Sequence, residues 1–202
     1  MIIGPKYKIA RRLGAPIFEK TQTQKYALHL ERKGKKRGFT KPKSEYALQL
    51  TEKQKARFTY GLSERQFSNY VKEALAKKTP NASQKIFELV ELRLDNTMYR
   101  LGYSPTRGGA RQMVSHGHIS VNGRRINTPS FRVSLGDKIQ ITERSTKKPL
   151  FAEIDEKTKN VTVPSWIKYD PKNKSAEIQG MPQYVKTENM FDLNTVIEYY
   201  SR

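Results

Sequence analysis

Apolar residues recur at helical spacing in the stretch that follows residue 44. Ser44 stands where a helix N-cap is expected, and the helix that it opens is predicted to end near Gly61. The sequence Ser63-Glu-Arg-Gln66 fits a capping box, which opens a second helix whose buried face begins at Phe67. This part of the chain is therefore predicted to be helical.

A third helix is predicted to start at Thr79-Pro80, a capping residue followed by a proline at the first helical position. We expect it to run without a break to Gly102, because apolar residues lie about four positions apart along it. These residues are Ile86, Val90, Leu94, Met98 and Leu101.

Residues 104–126, SPTRGGARQMVSHGHISVNGRRI, predict a short helix followed by a hairpin. The helix has apolar residues at i, i+3 and i+4 from Ala110 and is expected to stop at Gly117. Apolar alternation around Asn122-Gly123 is a strong local signal for a hairpin. In the predicted helix, the pair Gly108-Gly109 is unusual and costs about 1–2 kcal/mol relative to two alanines. A close approach of the backbone of a bound partner and relaxed selection are two explanations for it.

The rest of the chain is predicted to contain short strands. Phe131-Arg-Val and Lys138-Ile-Gln-Ile141 extend the sheet of the hairpin. The tail is predicted to form strands at FAEID, VTVP, the pair that begins at Trp166, and the closing VIEYYSR. The fold class is therefore α+β, with a helical N-terminal domain, a small α/β module of two short helices packed on an antiparallel hairpin-rich sheet, and a C-terminal tail of short strands.

Basic residues outnumber acidic ones two to one. The chain has 39 Lys and Arg against 19 Asp and Glu, a formal net charge of +20 and a pI of about 10.1. So many like charges repel one another in the folded protein and destabilise it, and such an excess indicates a polyanionic partner. The mean hydropathy is -0.79, and no apolar run approaches membrane-spanning length. Basic stretches also bind anionic membrane surfaces, but we expect a nucleic acid as partner and no membrane.

The positive charge is concentrated at the start of the chain. Residues 1–78 contain 20 Lys and Arg against 6 Asp and Glu, whereas residues 79–202 contain 19 against 13. We predict a basic N-terminal arm over 1–43, a helical domain over 44–90, an RNA-binding module over 91–150 and a tail over 151–202. Since the start of the chain lacks the apolar core of a secretory signal, we expect a mature, soluble and intracellular protein.

Arginines mark the helix and hairpin of residues 104–126 as a phosphate-binding surface. Arg107 and Arg111 are four residues apart and share one helix face, while Arg124 and Arg125 follow the hairpin turn. By themselves these features are typical of a tRNA synthetase appendage, an RNA-modification enzyme or a ribosomal protein.

Residues 92–141 resemble the RNA-binding module of the ribosomal protein S4 family of the small subunit. The resemblance extends to GPKYKIARRLG at 4–14, to QLTEKQKARFTYGLSERQFSNYVKEA at 49–74 and to the terminal IEYYSR. The chain is therefore identified as a member of this family over almost its whole length. It departs from many members in having no cysteine, so we predict no zinc, no other metal and no cofactor. The region between Lys25 and Ser44 also lacks the proline-glycine-histidine stretch expected there.

The resemblance implies a structural protein that binds the 5′ domain of small-subunit (16S-type) rRNA at a multi-helix junction and nucleates assembly of the subunit. It also implies that the third and fifth small-subunit proteins are neighbours and that the chain helps to line the channel by which mRNA enters. The tail would return to the N-terminal domain. The implied location is the ribosome, in the bacterial cytoplasm or in an organelle matrix.

The candidate RNA-binding residues are basic or polar side chains in both halves of the chain. The N-terminal set is Lys6, Lys8, Arg11, Arg12, Lys53, Lys55, Arg57 and Arg65. The set in the module is Arg107, Arg111, Gln112, His116, His118, Asn122, Arg124 and Arg125. The alternative for each set is a solvated surface, and Asn122 with Gly123 also suits turn geometry. A metal on the two histidines lacks a third ligand nearby.

Catalysis is not expected. Arg93-Leu-Asp-Asn resembles the start of the catalytic aspartate motif of pseudouridine synthases, but the residues that should follow are absent. Asp95 is predicted to lie in mid-helix and to pair with a neighbouring arginine or to cap backbone donors. The alternative function is a non-ribosomal RNA-handling or RNA-modifying factor that uses the same module.

Overall fold

The computed structural model describes most of the chain, in two compact units. The described residues are 3–33, 44–76, 80–146, 148, 151, 158, 161–171 and 173–202. One unit comprises Met1–Ile86 together with Tyr184–Arg202, and the other comprises Phe87–Gln183. The first unit is thus built from both ends of the chain.

The elements follow one another in the order helices, hairpin, strands and a final helix. The α-helices are α1 Lys6–Leu13, α2 Gln24–Lys33, α3 Glu45–Thr59, α4 Glu64–Ala76, α5 Ala82–Glu91, α6 Leu94–Arg100, α7 Arg107–Ser115, α8 Glu143–Thr146 and α9 Leu193–Tyr200. The strands are β1 Ile119–Val121, β2 Arg124–Ile126, β3 Lys138–Ile141, β4 Ile167–Asp170 and β5 Ser175–Ile178. Single 3₁₀ turns lie at Glu19–Thr21 and Lys186–Glu188. The α+β fold class is confirmed.

The capping signals place the starts of α3 and α4 correctly. Ser44 Oγ accepts a hydrogen bond from the Ala47 amide at 3.3 Å. The Ser63 and Gln66 side chains each accept from the other residue's amide, at 3.3 and 3.4 Å, which is the reciprocal pattern of a capping box. Both predicted helices are therefore confirmed.

The predicted single helix up to Gly102 is wrong, because the chain breaks between α5 and α6. Arg93 is extended and forms a bridge with Arg132. The Leu94 amide donates to the Phe131 carbonyl at 2.8 Å, so a partner distant in sequence takes this hydrogen bond away from the helix. The start of α5 also differs, because Asn81 accepts from the Gln84 amide as its cap. Thr79 lies outside the described residues.

The second unit is a five-stranded antiparallel sheet with α6 and α7 packed against it. The strand order is β2-β1-β3-β5-β4, and the β1–β2 register pairs Val121 with Arg124. The core includes Leu94 and Met98 of α6, Val114 of α7, and Ile119 and Ile139 of the strands; all five are at most 1% exposed. The core therefore holds the helix and hairpin of residues 104–126 on one rigid support.

The predicted strands of the tail are only partly correct. Strand β4 begins at Ile167, within the predicted pair, and pairs with β5, which the pattern did not predict. VTVP forms no regular strand, and four of the five residues of FAEID lie outside the described residues. Of the predicted tail, β4 and β5 belong to the second unit, whereas the residues from Tyr184 onward belong to the first.

The closing segment VIEYYSR, predicted as a strand, forms most of helix α9. Asp192 caps this helix by accepting from the Asn194 amide at 2.9 Å. Leu193 and Val196 are buried at helical spacing, and α9 packs on α3. The short run of apolar residues also fits a strand in the sequence alone, and the packing surface on α3 selects the helix.

A buried lysine fixes α9 on the first unit. Lys53 of α3 is 5% exposed, and its Nζ donates to Glu64 Oε1 at 2.8 Å. The same Nζ lies 4.4 Å from the centre of the Tyr199 ring. The Tyr200 hydroxyl donates to the same Glu64 oxygen at 2.9 Å. Lys53 and Glu64 therefore join α3, α4 and α9.

This cluster predicts a pH-dependent contribution of Glu64 to stability. Burial alone would raise the pKa of Glu64, but hydrogen bonds from Lys53 and Tyr200 hold this pKa below its ordinary value. A carboxyl whose folded-state pKa is lowered stabilises the protein above its unfolded pKa and loses that contribution as pH falls through the folded value. We expect Glu64→Gln to lower the free energy of unfolding by about 1 kcal/mol at about pH 7, since the side chain is half-exposed.

The measurement is urea unfolding of the wild type and the variant from about pH 7 to about pH 3. The difference should shrink as the carboxyl is protonated. Glu188→Gln, at an exposed position, is the control and should change little at any pH. A difference for Glu64→Gln that persists at the acid end contradicts the prediction.

Candidate nucleic-acid interface

Asp95 binds two arginines in the first turn of α6. Arg93 donates to both carboxylate oxygens, at 3.0 and 2.8 Å. Arg111 of α7 donates from Nε to Asp95 Oδ2 at 2.9 Å. Asp95 and Arg93 are nearly buried, whereas 27% of the Arg111 side chain is exposed. The predicted pairing of Asp95 with an arginine is confirmed, but its predicted mid-helix position is wrong because α6 begins at Leu94.

Glu91 orients a second pair of arginines, Arg100 directly and Arg107 through Asn96. Arg100 donates to both oxygens of the buried Glu91 carboxylate, at 2.9 and 2.6 Å. The Asn96 amide nitrogen donates to Glu91 Oε2 at 2.7 Å, and the Asn96 oxygen accepts from Arg107 Nε at 2.8 Å. The Arg107 guanidinium also lies 4.2 Å from the centre of the Tyr99 ring.

Together these contacts form an arginine cluster on α6 and α7. It comprises four arginines and two carboxylates, so its formal charge is +2; the arginines are Arg93, Arg100, Arg107 and Arg111, and the carboxylates are Glu91 and Asp95. Because each side chain is already held by hydrogen bonds, little rotamer entropy remains to be lost when a phosphate binds. Arg107 and Arg111 are therefore oriented by the protein, unlike arginines on a freely solvated helix face. Gln112 follows them on α7 and is exposed.

The hairpin turn uses Asn122 structurally. Asn122 and Gly123 have φ of 51° and 77°, the left-handed pair that a tight hairpin needs. The Asn122 side chain donates to Asp137 Oδ1 at 2.8 Å and accepts from the Lys138 amide at 2.9 Å. Asn122 therefore ties the turn to the start of β3, while Arg124 beside it is exposed.

Arg125 closes the end of α7. Its Nε donates to the Gly117 carbonyl at 2.9 Å, and its Nη2 donates to the His116 carbonyl at 3.1 Å. Gly117 has φ of 67°, and a Cβ built there would collide with the Arg125 guanidinium. Only glycine therefore allows this arginine to cross the helix end.

The two histidines are in different environments. His116 is exposed, whereas His118 is 8% exposed and its Nδ1 lies 2.9 Å from Ser145 Oγ. Burial lowers the pKa of His118 below its ordinary value, and the neighbouring charges of Lys148, His116 and Arg125 lower this pKa further. The lowered pKa favours the neutral imidazole, which offers a ring nitrogen rather than a charge. Within the described ranges, no group of three potential ligands from His, Asp and Glu is placed to hold a metal ion.

The N-terminal candidates divide into exposed and internally paired cations. Lys6 is partly buried, and its Nζ lies 5.7 Å from the centre of the Phe18 ring. Lys55 pairs with Glu52 at 2.6 Å, and Arg57 donates to Gln54 at 2.9 Å. Lys53, buried against α9, is a structural residue rather than a surface cation. Four candidates are exposed and pair with no carboxylate in the described part of the chain: Lys8, Arg11, Arg12 and Arg65.

Sequence reasoning missed most of the partners in the arginine cluster. Glu91, Asn96, Tyr99 and Arg100 were not predicted to support Arg107 and Arg111. The signal was an unusual density of polar residues between apolar ones over residues 91–98, and the structure shows that all eight of these residues are buried. Buried polar groups need partners, and that requirement points to a network.

Among the described residues, no helix is both long and apolar enough to cross a membrane. This finding covers the helices of both units. The helices of the N-terminal part also carry charged residues along their length.

Two family profiles match the chain in succession. The profile described as ribosomal protein S4/S9 N-terminal domain matches residues 1–91, and the profile described as S4 domain matches residues 92–139. The second match contains the hairpin together with α6 and α7, which carry all of the arginine cluster except Glu91 at the end of α5 and Arg93 at the break before α6.

Curated relatives match over almost the full length. The chain is 41% identical over 204 residues to the small ribosomal subunit protein uS4 of Chlorobium limicola. It is 40% identical over 207 residues to that of Chlorobaculum tepidum, and 39% identical over 201 residues to that of Persephonella marina. In all three comparisons the match covers 98% of each chain.

The two adjacent glycines of α7 predict opposite responses to alanine. A Cβ on Gly109 would collide with Ser104 Oγ, whereas the nearest atom to a Cβ on Gly108 is Thr106 Oγ1 at 3.9 Å. We expect Gly108→Ala to raise the free energy of unfolding by about 0.5–1 kcal/mol through helix propensity. Gly109→Ala should lower it, since Ser104 or the first turn of α7 must move.

Urea unfolding of both variants measures these two effects. The RNA affinity of both variants is measured as well. A loss of affinity in Gly108→Ala would show that RNA approaches this turn closely. Equal stabilisation by the two alanines would contradict the steric explanation for Gly109.

Proposed function

The chain belongs to the uS4 family of small ribosomal subunit proteins, and from this membership we propose that it binds a helix junction in the 5′ domain of small-subunit rRNA and nucleates assembly of the subunit. The role is structural and not catalytic, as the family membership indicates. The proposed location is the ribosome, in a bacterial cytoplasm or an organelle matrix.

The arginine cluster on α6 and α7 is the structural observation that supports the RNA-binding part of this proposal, whereas the junction and the assembly role rest on family membership. Folded RNA is recognised largely through its shape and its backbone, so oriented guanidinium groups suit it better than flexible ammonium groups. Arg107 and Arg111 are four residues apart on α7. Arg107 Nε donates to Asn96 Oδ1 at 2.8 Å, and Arg111 Nε donates to Asp95 Oδ2 at 2.9 Å, so both guanidinium groups are fixed in orientation. Two phosphates at a defined spacing are the natural ligand of such a pair.

The remaining candidates extend the proposed contact surface. Exposed arginines and lysines contribute to affinity for a polyanion without directional hydrogen bonds. We assign this role to Lys8, Arg11, Arg12, Arg65 and Arg124, and a lesser one to Lys6, Lys55, Arg57, Gln112 and His116. Lys53, His118 and Asn122 are assigned to the support of the fold, on the basis of their burial or internal hydrogen bonds.

The protein neighbours follow from the family. The third and fifth small-subunit proteins, and the mRNA as it enters its channel, are proposed as partners because the sequence resembles a family with those neighbours. The alternative of a non-ribosomal RNA-handling factor is tested by sedimentation. A structural protein should remain on small subunits in near-equal amounts through a moderate salt wash, and release at low salt would favour the alternative.

Replacing Arg107 and Arg111 together tests the proposed contact. We expect R107A/R111A to weaken binding to a 5′-domain rRNA fragment about 10- to 100-fold and to reduce the salt slope of log K by about 2. R107K/R111K keeps the charges but loses the guanidinium fork, so it should restore only part of the affinity.

The matched control removes two exposed lysines from the sheet of the same unit, as K138A/K168A. Filter binding or fluorescence anisotropy over a salt series measures each variant, after its circular dichroism has shown that it is folded. Equal losses in R107A/R111A and in the control would mean that net charge alone determines binding.

A further inference from the structure

A polar cavity lies in the second unit, beyond the end of α7 and beside the hairpin. Its volume is about 560 Å³. The end of α7, the β1–β2 hairpin, the end of β3 and helix α8 each contribute to its lining, so four successive parts of the chain border it, and it is open to solvent on one side. The arginine cluster contributes no residue to this cavity.

Three cations line the cavity without a carboxylate partner. Arg125, Arg144 and Lys148 form no ion pair in the part of the chain that the structure describes. Glu143 is the only carboxylate among the lining residues, and it likewise has no ion-pair partner among the described residues. The formal charge of the described lining is therefore +2. Such an excess of positive charge in a concave surface attracts an anion, because the protein around it focuses the field.

The polar groups of the cavity are held in place by the fold. Arg125 is fixed by the Gly117 and His116 carbonyls, which leaves its guanidinium plane across the end of α7. Ser145 Oγ lies 2.7 Å from Thr142 Oγ1 and 2.9 Å from His118 Nδ1. Ser120 Oγ donates to the Gln140 carbonyl at 3.2 Å. Hydroxyl groups, an imidazole and a guanidinium therefore line one preorganised concave surface.

We propose that this cavity is a phosphate-binding site, in which Arg125 supplies a directional donor while Arg144 and Lys148 supply charge. A phosphate occupies much less than the cavity, so the remaining space suits the sugar of a nucleotide. This proposal rests on the proposed function. It assigns a backbone phosphate of the bound RNA to this cavity, as a second contact besides the arginine cluster. A free phosphate ion shares the same chemistry, and the experiment below separates the two sources.

The histidines provide a direct test with inorganic phosphate as the probe. The chain contains three histidines, and only His116 and His118 line the cavity; His29 lies on α2 in the other unit. We titrate phosphate into the full chain at constant pH and ionic strength, replacing chloride, and follow the ring resonances by NMR. The expected result is a saturable shift of the His116 and His118 signals with no shift of His29.

The variant R144Q/K148Q removes two exposed charges and leaves Arg125 in place. It should raise the apparent dissociation constant for phosphate about tenfold or more, whereas K138Q/K168Q, a matched control on the same sheet, should not. R125K, which keeps the charge but not the fork, should weaken phosphate binding if the guanidinium acts as the directional donor. Absence of a saturable shift, or an equal shift in R144Q/K148Q, overturns the proposal.

Binding of the 5′-domain rRNA fragment identifies the source of the phosphate. If it is the RNA backbone, R144Q/K148Q should lower the affinity about tenfold and the salt slope by about 2. If phosphate binds but RNA affinity is unchanged, the assignment to RNA is overturned and the site takes a free anion. Failure of the wild type to bind this fragment in preference to an unrelated RNA overturns the proposed function instead, whatever the phosphate titration shows.

Discussion

The carboxylate of Asp95 is the group on which the arrangement of the second unit depends. It is nearly buried and accepts hydrogen bonds from Arg93, at the break before α6, and from Arg111 on α7. A buried carboxylate without partners would be strongly destabilising, so the two arginines and the carboxylate must be retained together. This requirement joins the start of α6 to the middle of α7, and it brings Arg111 to the surface at a defined place.

Glu91, Lys53 and Arg125 likewise hold other parts of the structure in place. Glu91 orients Arg100 directly and Arg107 through Asn96. Lys53 is removed from the surface to hold α9, and Arg125 closes the end of α7. In a chain of net charge +20, basic side chains therefore serve both as structural ties and as binding groups. Carboxylates are few, and several of them are placed where they orient cations rather than where they reduce the surface charge.

The first unit is formed by residues from both ends of the chain. Helix α9 lies more than 130 residues after α3 in the sequence, yet it packs on α3 and buries Leu193 and Val196. At the N-terminus, where cysteine is absent, an apolar cluster of Ala10, Leu13, Ile17, Phe18 and Tyr26 packs with Phe58. Apolar and aromatic packing stabilises this region through burial, and Lys6 adds a cation–π contact with Phe18.

By itself, the sequence determined the features that depend on neighbours within about four residues. These include the caps of α3 and α4, the left-handed turn at Asn122-Gly123 and the spacing of Arg107 and Arg111. The overall positive charge follows from composition and needs no structure. Only the tertiary structure decided where the long predicted helix breaks, because the Phe131 carbonyl competes for the Leu94 amide. It also made the last segment a helix, buried Lys53 against that helix, and tied the exposed Arg125 to the end of α7. The physical reason is that burial and ion pairing depend on partners far apart in the chain, such as Lys53 and Tyr199, which local patterns do not bring together.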